Sequence, residues 1–178
     1  MNVQEATTRR LPDLKERHLP ENCRETINTI LKETYGYEQF RNLEIYDDLS
    51  KGKEKLCISQ GQLIENVILE AEKAWKGETQ VDNILLTAPT GSGKSLLFQL
   101  PAIYLGKEYN LLTIVVSPLK ALIVDQVESL QELGYTRVAY ASSDLSPEQK
   151  MEVYRQVREG EIDLFYLSPE LLLSYEFT

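Results

Sequence analysis

The sequence predicts an α/β fold, in which a parallel sheet is flanked by helices and preceded by a mostly helical N-terminal extension. In the second half of the chain, short apolar runs alternate with amphipathic helical stretches, which is typical of parallel strands joined by helices. The runs are almost continuously apolar, as expected for strands covered on both faces. With 178 residues and 42% hydrophobic content, the chain is long enough to bury one sizeable core.

The chain divides into three segments by pattern. Residues 1–20 mix charges with two prolines and are predicted to be an extended or mobile lead-in. Residues 21–78 are predicted to form a helical segment, with a polar, turn-rich insertion at about 42–59 whose Ser50–Gly52 stretch suits a loop or hairpin tip. Residues 79–178 are predicted to form the α/β domain.

Hydrophobic periodicity places the individual elements. Apolar residues at three- and four-residue spacing predict helices over 21–35 and 62–76, which end at Gly36 and Gly77. A third helix follows the second strand and ends at Gly134. The second helix buries Leu63, Val67, Ile68, Ala71 and Trp75 in this prediction, and the third buries Leu119, Leu122, Ile123, Val127 and Leu130. The predicted strands are Asn83–Thr87, Leu111–Val116, Arg137–Ala141 and Ile162–Leu167.

Composition excludes several classes of function. A formal net charge of -9 and a pI near 4.8 argue against a surface that holds nucleic acid by overall positive charge, so any such contact must be local. Cys23, Cys57 and His18 are too few and too far apart for a zinc site or a disulfide framework. No signal peptide or membrane-spanning run is visible, and we expect a cytoplasmic protein.

The strongest local signal is the sequence APTGSGKS at Ala88–Ser95, between a predicted strand and a predicted helix. Glycines at 91 and 93 let several backbone N–H groups approach a triphosphate, and the start of the helix adds partial positive charge. Lys94 then reaches the β- and γ-phosphates, and the Ser95 hydroxyl is available to Mg²⁺. The alternative is an ordinary glycine-rich turn with an incidental lysine.

Three motifs in order carry a resemblance to a known family. They are PTGSGKSLLFQLPA at 89–102, SPLKALIVDQV at 117–127 and YLSPELL at 166–172. Together with the A-x-x-G-x-G-K-S form of the loop, they resemble the N-terminal part of the first RecA-like motor domain of superfamily-2 DEAD/DEAH-box helicases of the RecQ type. The resemblance implies ATP and Mg²⁺ as cofactors. It assigns nucleotide binding to Pro89, Thr90, Gly91, Ser92, Gly93, Lys94, Ser95 and Leu96, with Lys94 and Ser95 catalytic and Ser95 a metal ligand through its hydroxyl.

The resemblance also implies a nucleic-acid groove lined by Ser117, Pro118, Leu119, Ser142 and Ser143. Its partner would be single-stranded or partly duplex DNA, with RNA not excluded, held through hydroxyls and backbone N–H groups. In the alternative interpretation, Ser117 caps a helix that Pro118 starts. Lys120 has two interpretations as well, a phosphate contact or a solvated surface charge.

A weaker resemblance lies upstream, in LKETYGYEQFR at 31–41. In the family, the arginine that ends this pattern and a glutamine that follows it contact adenine, and an aromatic ring stacks nearby. This implies the adenine role for Arg41 and Gln62 across the insertion. A glutamine amide offers a donor and an acceptor, which suits the adenine edge. Alternatively, Gln62 is an exposed residue at the start of a helix and Arg41 pairs with a carboxylate. Tyr35, Tyr37 and Phe40 suit a buried core as well as they suit stacking near adenine.

The sequence contains no D-E-x-H segment, the carboxylate motif by which the family holds Mg²⁺ and positions water. We therefore expect the ATP-binding segment of an ATP-dependent DNA helicase or translocase, inactive without the remaining motor domain. Two alternatives stay open. One is a non-catalytic module that binds a nucleotide or a partner protein. The other is a small self-contained P-loop NTPase, in which Asp144 or Glu170 replaces the missing Mg²⁺ carboxylate.

Overall fold

The computed structural model describes residues 17–46, 55–87 and 90–173. The predicted lead-in up to residue 16 and the predicted loop tip at Ser50–Gly52 lie outside these ranges. The described residues form two compact units, one up to Lys32 and from Tyr37 to Pro101, the other Glu33–Gly36 and from Ala102 onward. Among them, no helix is both long and apolar enough to cross a membrane.

The first helix, α1, spans Glu21–Tyr35, as the periodicity predicts. Its buried residues Ile27, Ile30 and Leu31 are spaced by three and one, so they lie on one face of the helix. Gly36 follows with a φ of 68°, the left-handed conformation in which a helix commonly ends.

The stretch interpreted as an insertion contains an antiparallel hairpin. Its strands are β1, Asn42–Tyr46, and β2, Lys55–Ser59, with Asn42 opposite Ser59. Because this pair closes the hairpin at its base, the chain leaves and returns at neighbouring positions. Residues on either side of the insertion are thereby brought together.

Helix α2 spans Gln60–Trp75 and begins two residues before the predicted start. Ser59 is its N-cap, with a side-chain oxygen that accepts a hydrogen bond from the Gly61 N–H at 3.2 Å. Leu63, Ile64 and Ile68 are buried, but Trp75, which the predicted stripe includes, is 57% exposed at the last residue of the helix.

The predicted strand Asn83–Thr87 is wrong. This segment has no strand pairing, and Leu85 within it is 91% exposed. A strand is defined by backbone hydrogen bonds to a neighbour, and none of the described strands pairs with these residues. The apolar run is real, but in the described structure it has no partner strand.

The second unit contains a three-stranded parallel sheet in the order β3–β5–β4. The strands are β3, Thr113–Val116, β4, Val138–Ala141, and β5, Leu164–Leu167. Thr113 and Val138 both lie level with Leu164, so the three strands start and end together. The helices of the α/β region are α3, Leu96–Tyr109, α4, Lys120–Glu132, α5, Pro147–Arg158, and α6, Pro169–Leu173.

Burial separates the central strand from its neighbours. All four residues of β5 are buried, as expected for a strand covered on both faces. In β3 burial alternates, and Ile114 is 42% exposed, so the expectation of full coverage fails there. Helix α4 buries Ile123, Val127 and Leu130, whereas the predicted core residues Leu119 and Leu122 are exposed.

Helices α4 and α5 cover opposite faces of the sheet. The connection from β3 to β4 crosses β5 in one direction, and the connection from β4 to β5 runs back, so two right-handed crossovers place their helices on different sides. Val153, Tyr154 and Val157 of α5 pack on the cluster of Ala139, Ala141, Ile162, Phe165, Leu167 and Leu171.

Asp163 ties the amino ends of the strands together. Its buried carboxylate accepts hydrogen bonds of 2.7 Å from the Tyr135 hydroxyl and from Nε and Nη2 of Arg137. Its backbone carbonyl accepts from the Thr113 N–H, also at 2.7 Å. A Cβ on Gly106 of α3 would lie 2.3 Å from the Asp163 Cγ, so only glycine lets the helix approach this carboxylate.

Candidate functional site: the glycine-rich loop and the carboxyl edge of the sheet

The glycine-rich loop turns directly into helix α3. Gly91 and Gly93 have φ values of 81° and 77°, the left-handed region that favours glycine. The Gly93, Lys94 and Ser95 carbonyls accept hydrogen bonds from the Leu96 N–H at 3.2 Å, the Leu97 N–H at 3.0 Å and the Gln99 N–H at 2.9 Å. Because the first N–H groups of the helix are bonded to the loop, the N–H groups that could bind an anion are those of the loop itself, from Thr90 to Ser95. Ala88 and Pro89 lie outside the described residues.

Gln60, at the start of α2, bonds to this loop. Its side chain is almost fully buried, and its Nε2 donates to the Ser92 carbonyl at 3.1 Å. Its Oε1 accepts from the Arg41 N–H, also at 3.1 Å. A Cβ on Gly93 would lie 2.5 Å from the Gln60 Nε2, so the contact requires glycine at that position.

The hairpin brings Arg41 to Gln60. The Gln60 N–H donates to the Arg41 carbonyl at 2.9 Å, which adds a second bond between the two residues on either side of the insertion. The Arg41 guanidinium lies 6.0 Å from the centroid of the Tyr37 ring, at the outer limit of a cation–π contact. Phe40 packs on Gly61, where a Cβ would lie 2.6 Å from the ring.

A cavity of about 520 Å³ lies beside these residues. It is lined by Phe40 and Ser59 together with Asn28, Thr29, Lys32, Glu38 and Gln39. Lys32 and Glu38 form an ion pair of 3.0 Å across this lining. An aromatic ring and several hydrogen-bonding groups therefore face one opening next to Arg41.

Gln62, the predicted adenine contact, is placed differently from Gln60. Its Nε2 donates to the Arg17 carbonyl at 2.7 Å. The contact of Gln62 with adenine stays a prediction, and the contact of Gln60 with the loop was not predicted from the sequence. The position of the helix start was the available signal, since Leu63 and Ile64, three and four residues after Gln60, are both buried.

Two side chains of the loop are placed where an added group could contact them. The Ser92 hydroxyl is buried and has no hydrogen-bond partner within the described part of the chain. Buried hydroxyls are usually satisfied, so this atom is a candidate to bond an added group. The Lys94 side chain is exposed beside the start of α3. Backbone N–H groups from Thr90 to Ser95 could hold phosphates here, whereas the Leu96 N–H donates to the Gly93 carbonyl at 3.2 Å.

Three serines follow the three parallel strands. Ser117 comes directly after β3, Ser142 after β4 and Ser168 after β5, so all three lie at the carboxyl edge of the sheet. Ser142 and Ser168 are buried. Ser168 was not among the predicted site residues, although it lies in one of the quoted motifs.

Ser117 does not cap helix α4. The N-cap is Leu119, which makes no side-chain cap bond, and the Ser117 Oγ instead accepts from the Leu119 N–H at 3.4 Å. The helix starts at Lys120 rather than at Pro118. The alternative in which Ser117 caps a helix that Pro118 starts is therefore wrong.

Lys120 joins two of the predicted nucleic-acid motifs. Its Nζ donates to the Ser143 hydroxyl and to the Asp144 carboxylate, the latter at 2.8 Å. The bond from Lys120 lowers the pKa of Asp144, and the bond from Ser168 lowers the pKa of Glu170, so both carboxylates are ionised at neutral pH. Across the described ranges, no group of three or more His, Cys, Asp or Glu side chains is arranged to hold a metal ion.

Comparison with known proteins relates the chain to one family. The profile of the DEAD/DEAH box helicase family matches residues 60–177. ATP-dependent DNA helicase RecQ of Synechocystis is 34% identical over 151 residues, 85% of this chain and 25% of that protein. RecQ of Bacillus subtilis is 33% identical over 149 residues, 84% of this chain and 20% of that protein.

A plant relative gives the same result. ATP-dependent DNA helicase Q-like 5 of Arabidopsis thaliana is 33% identical over 153 residues, 86% of this chain and 13% of that protein. The chain thus spans a quarter or less of the length of these relatives. Since the profile match covers well over half of the chain, this protein belongs to the DEAD/DEAH box helicase family and is similar to its RecQ members.

Proposed function

We propose that this chain is the ATP-binding segment of an ATP-dependent DNA helicase or translocase. The observation that carries the proposal is the bond between Gln60 and the Ser92 carbonyl, which links the glycine-rich loop to the Arg41 region. The Gln60 side chain holds the glycine-rich loop next to the region of the cavity lined by Phe40 and Ser59. This arrangement suits a ligand with phosphates at one end and a ring at the other. Similarity to proteins named as RecQ DNA helicases supports ATP and DNA as ligands.

Within the loop, each residue has a proposed part in nucleotide binding. Backbone N–H groups of the segment Thr90–Ser95 bind the phosphates, Lys94 neutralises the β- and γ-phosphate charge, and the Ser95 hydroxyl is a ligand of Mg²⁺. Leu96 completes the proposed site at the start of α3. Bound Mg²⁺ would supply charge neutralisation at those phosphates. Pro89 belongs to the same proposed site.

On the adenine side, we propose Arg41 and Gln62, with Gln60 as the residue that holds the loop beside Arg41. The Gln62 amide donates to the Arg17 carbonyl, whereas Gln60 is bonded to the loop. Because Gln60 is almost fully buried, with its Oε1 bonded to the Arg41 N–H and its Nε2 to the Ser92 carbonyl, its proposed part is to fix the loop and not to contact the base. The Arg41 side chain, beside Tyr37, provides a planar cation that can stack on a purine ring.

Single-stranded DNA is the proposed second ligand, at the carboxyl edge of the sheet. Ser117, Pro118, Leu119, Ser142 and Ser143 would hold its phosphates through hydroxyl and N–H donors. The contact of Lys120 with Ser143 supports one continuous polar surface made from two motifs. Asp144 is part of that surface and repels phosphate, so the proposal requires Lys120 to exchange Asp144 for the strand.

Nucleotide titration tests the first part of the proposal. A fluorescent ATP analogue with Mg²⁺ should bind the wild-type chain, and Lys94→Ala should weaken its affinity at least tenfold, about 1.4 kcal/mol. Lys76→Ala is the matched control, because Lys76 is an exposed lysine at the end of α2, outside the loop. Equal affinities for wild type and Lys94→Ala would reject the phosphate role of the loop.

A second titration tests DNA. Lys120→Ala should weaken binding of an oligothymidine strand, while Lys107→Ala, another exposed lysine in the same unit, should leave it unchanged. If neither variant differs from wild type, the carboxyl edge of the sheet is not the DNA site. If the oligothymidine does not bind but the nucleotide does, the chain is a non-catalytic nucleotide-binding module and not part of a DNA motor.

We also propose that the 178-residue chain does not hydrolyse ATP at a useful rate by itself. It contains no D-E-x-H segment, and the bond between Asp144 and Lys120 argues against Asp144 as a substitute Mg²⁺ ligand. In this proposal the missing groups come from the rest of the first motor domain and from the second motor domain of a parent protein. Magnesium-dependent turnover that Asp144→Asn or Glu170→Gln abolishes would instead support a self-contained NTPase.

A further inference from the structure

A long groove runs along the outer edge of the sheet. Its volume is about 850 Å³, and it is lined by β4, by α4 on one side and by α5 on the other. In the described part of the chain, β4 pairs with β5 alone, so its second edge has no strand beside it. An unpaired edge offers backbone donors and acceptors to another extended chain.

The backbone groups at this edge can be identified. The Arg137 carbonyl accepts from the Asp163 N–H at 2.9 Å and therefore points towards β5. Successive residues of a strand point their N–H and C=O groups to alternate sides. Arg137 and Ala139 thus face β5, and Val138 and Tyr140 face the groove.

The lining of the groove is apolar at its floor and acidic at its rims. Val127, Leu145, Val153 and Ile162 contribute apolar surface. The rims carry the carboxylates of Glu128, Glu148, Glu152 and Glu161.

Among the described residues of the lining, Arg137 is the one cation, and it is engaged elsewhere. Its guanidinium bonds to the buried Asp163 carboxylate and to the Gly160 carbonyl. Arg155, outside the lining, pairs with Glu152 and Glu161, so it neutralises part of that rim. Glu128 and Glu148 have no cationic partner among the described ion pairs, and the bond from the Ser146 hydroxyl lowers the pKa of Glu148.

We propose that this groove binds a basic, extended segment of a partner protein, which adds as a strand to the free edge of β4. Alternate side chains of such a segment point to α4 and α5 in turn, and each helix offers a carboxylate there, Glu128 or Glu148. The acidic rims repel nucleic acid, so this surface is separate in chemistry from the proposed DNA site.

The test uses a capped synthetic peptide of about seven residues in which pairs of lysines alternate with pairs of valines, so that lysines point to both helices, and which is long enough to cover the four residues of β4. Two control peptides separate charge from strand pairing. One replaces lysine with glutamate, and the other keeps the lysines but carries N-methyl groups along one backbone edge. We expect one-to-one binding of the first peptide and no binding of either control.

Hydrogen exchange of individual backbone amides locates the bound peptide. The Val138 and Tyr140 amides should exchange at least tenfold more slowly with the peptide bound, while the Ala139 amide, already directed at β5, should change little. The double variant Glu128→Gln and Glu148→Gln should weaken binding roughly fivefold to tenfold. The matched double variant Glu108→Gln and Glu132→Gln removes two exposed carboxylates outside the lining and should bind as wild type does.

Three results would overturn the proposal. Equal binding of the N-methylated peptide would mean that attraction is by charge alone. Slowed exchange at residues outside β4 would move the binding surface elsewhere. Equal weakening in the two double variants would reflect the net charge of the chain and no built site.

Discussion

Gly93 connects the backbone of the loop to the side chain of Gln60, and a single methyl group tests that contact. Alanine there adds the strain of a left-handed residue, roughly 1–2 kcal/mol, and pushes the Gln60 amide away from Ser92. We expect Gly93→Ala to lose stability and nucleotide affinity together. Equilibrium urea unfolding and nucleotide titration measure the two effects.

Gly77→Ala is the control for Gly93→Ala. Its φ is also 77°, but nothing lies within 4 Å of an added Cβ. It should therefore show the strain without the loss of affinity. If both variants bind nucleotide as wild type does, the Gln60 contact is structural only.

Gly106 gives a second prediction, in which alanine destabilises the helix instead of stabilising it. Alanine normally stabilises a helix by about 1 kcal/mol relative to glycine. In α3 the added Cβ would lie 2.3 Å from the Asp163 Cγ, and that carboxylate is held by Tyr135 and Arg137. We expect Gly106→Ala to lower the free energy of unfolding by about 2 kcal/mol or more. Urea unfolding measures this change, and a stabilised variant would contradict the packing described.

Glu70 carries the clearest pH dependence. Burial raises the pKa of its carboxyl, but bonds from the Asp82 N–H, Arg17 and Lys73 outweigh burial and lower the pKa to about 2. A depressed folded-state pKa contributes stability above the unfolded-state value, 4.5, and that stability is lost as pH falls towards 2.

We expect wild type to lose about 2 kcal/mol of unfolding free energy from this group between about pH 5 and pH 3. Glu70→Gln should lose correspondingly less over the same interval, and Glu33→Gln, an exposed change on α1, should follow wild type. Urea unfolding at several pH values measures the difference. Parallel curves for wild type and Glu70→Gln would show that Glu70 keeps an ordinary pKa.

At the level of elements, the hairpin of β1 and β2 can be separated from the site that it brings together. Glu44 lies opposite Cys57, so residues 45–56 can be replaced by an Asn-Gly turn that closes the remaining strands. This keeps the buried Ile58 and the bonds between Arg41 and Gln60. We expect nucleotide affinity within about twofold of wild type; a large loss would mean that the removed residues take part in binding.

Elements were predictable from sequence wherever local periodicity decided them. Helix α1, the parallel strands and the glycine-rich turn follow from apolar spacing and from glycine at positions with positive φ. Asn83–Thr87 failed because an apolar run specifies a strand only if a neighbour is there to pair with it. The bond of Gln60 to the loop was not predicted because it depends on where α2 starts, which Ser59 determines by capping.

Contacts between distant residues had no sequence signal at all. The Asp163 contacts with Tyr135, Arg137 and Gly106 join residues that local patterns treat separately. The acidic groove likewise combines α4, α5 and a sheet edge, and only the strand order shows that β4 is outermost.

For the whole molecule, net charge limits how DNA can be held. A chain with a formal charge of -9 repels a polyanion at a distance, and the proposed surface contains one lysine, Lys120. We expect the logarithm of the DNA association constant to fall with the logarithm of salt concentration with a slope of about -2 or shallower. Fluorescence anisotropy at several salt concentrations gives this slope. A slope steeper than about -5 would reveal a wide basic track that the proposal does not contain.

The Asp163 contacts have a mechanical consequence for the second unit. They fasten the strands at one end of the sheet, while the serines that follow the strands lie at the other end. A force applied at the serine end would therefore separate the strands most at that end, because the Asp163 contacts hold them together at the other end. Motion driven by a ligand would then be greatest at the surface that the ligand contacts and would fade towards Arg137.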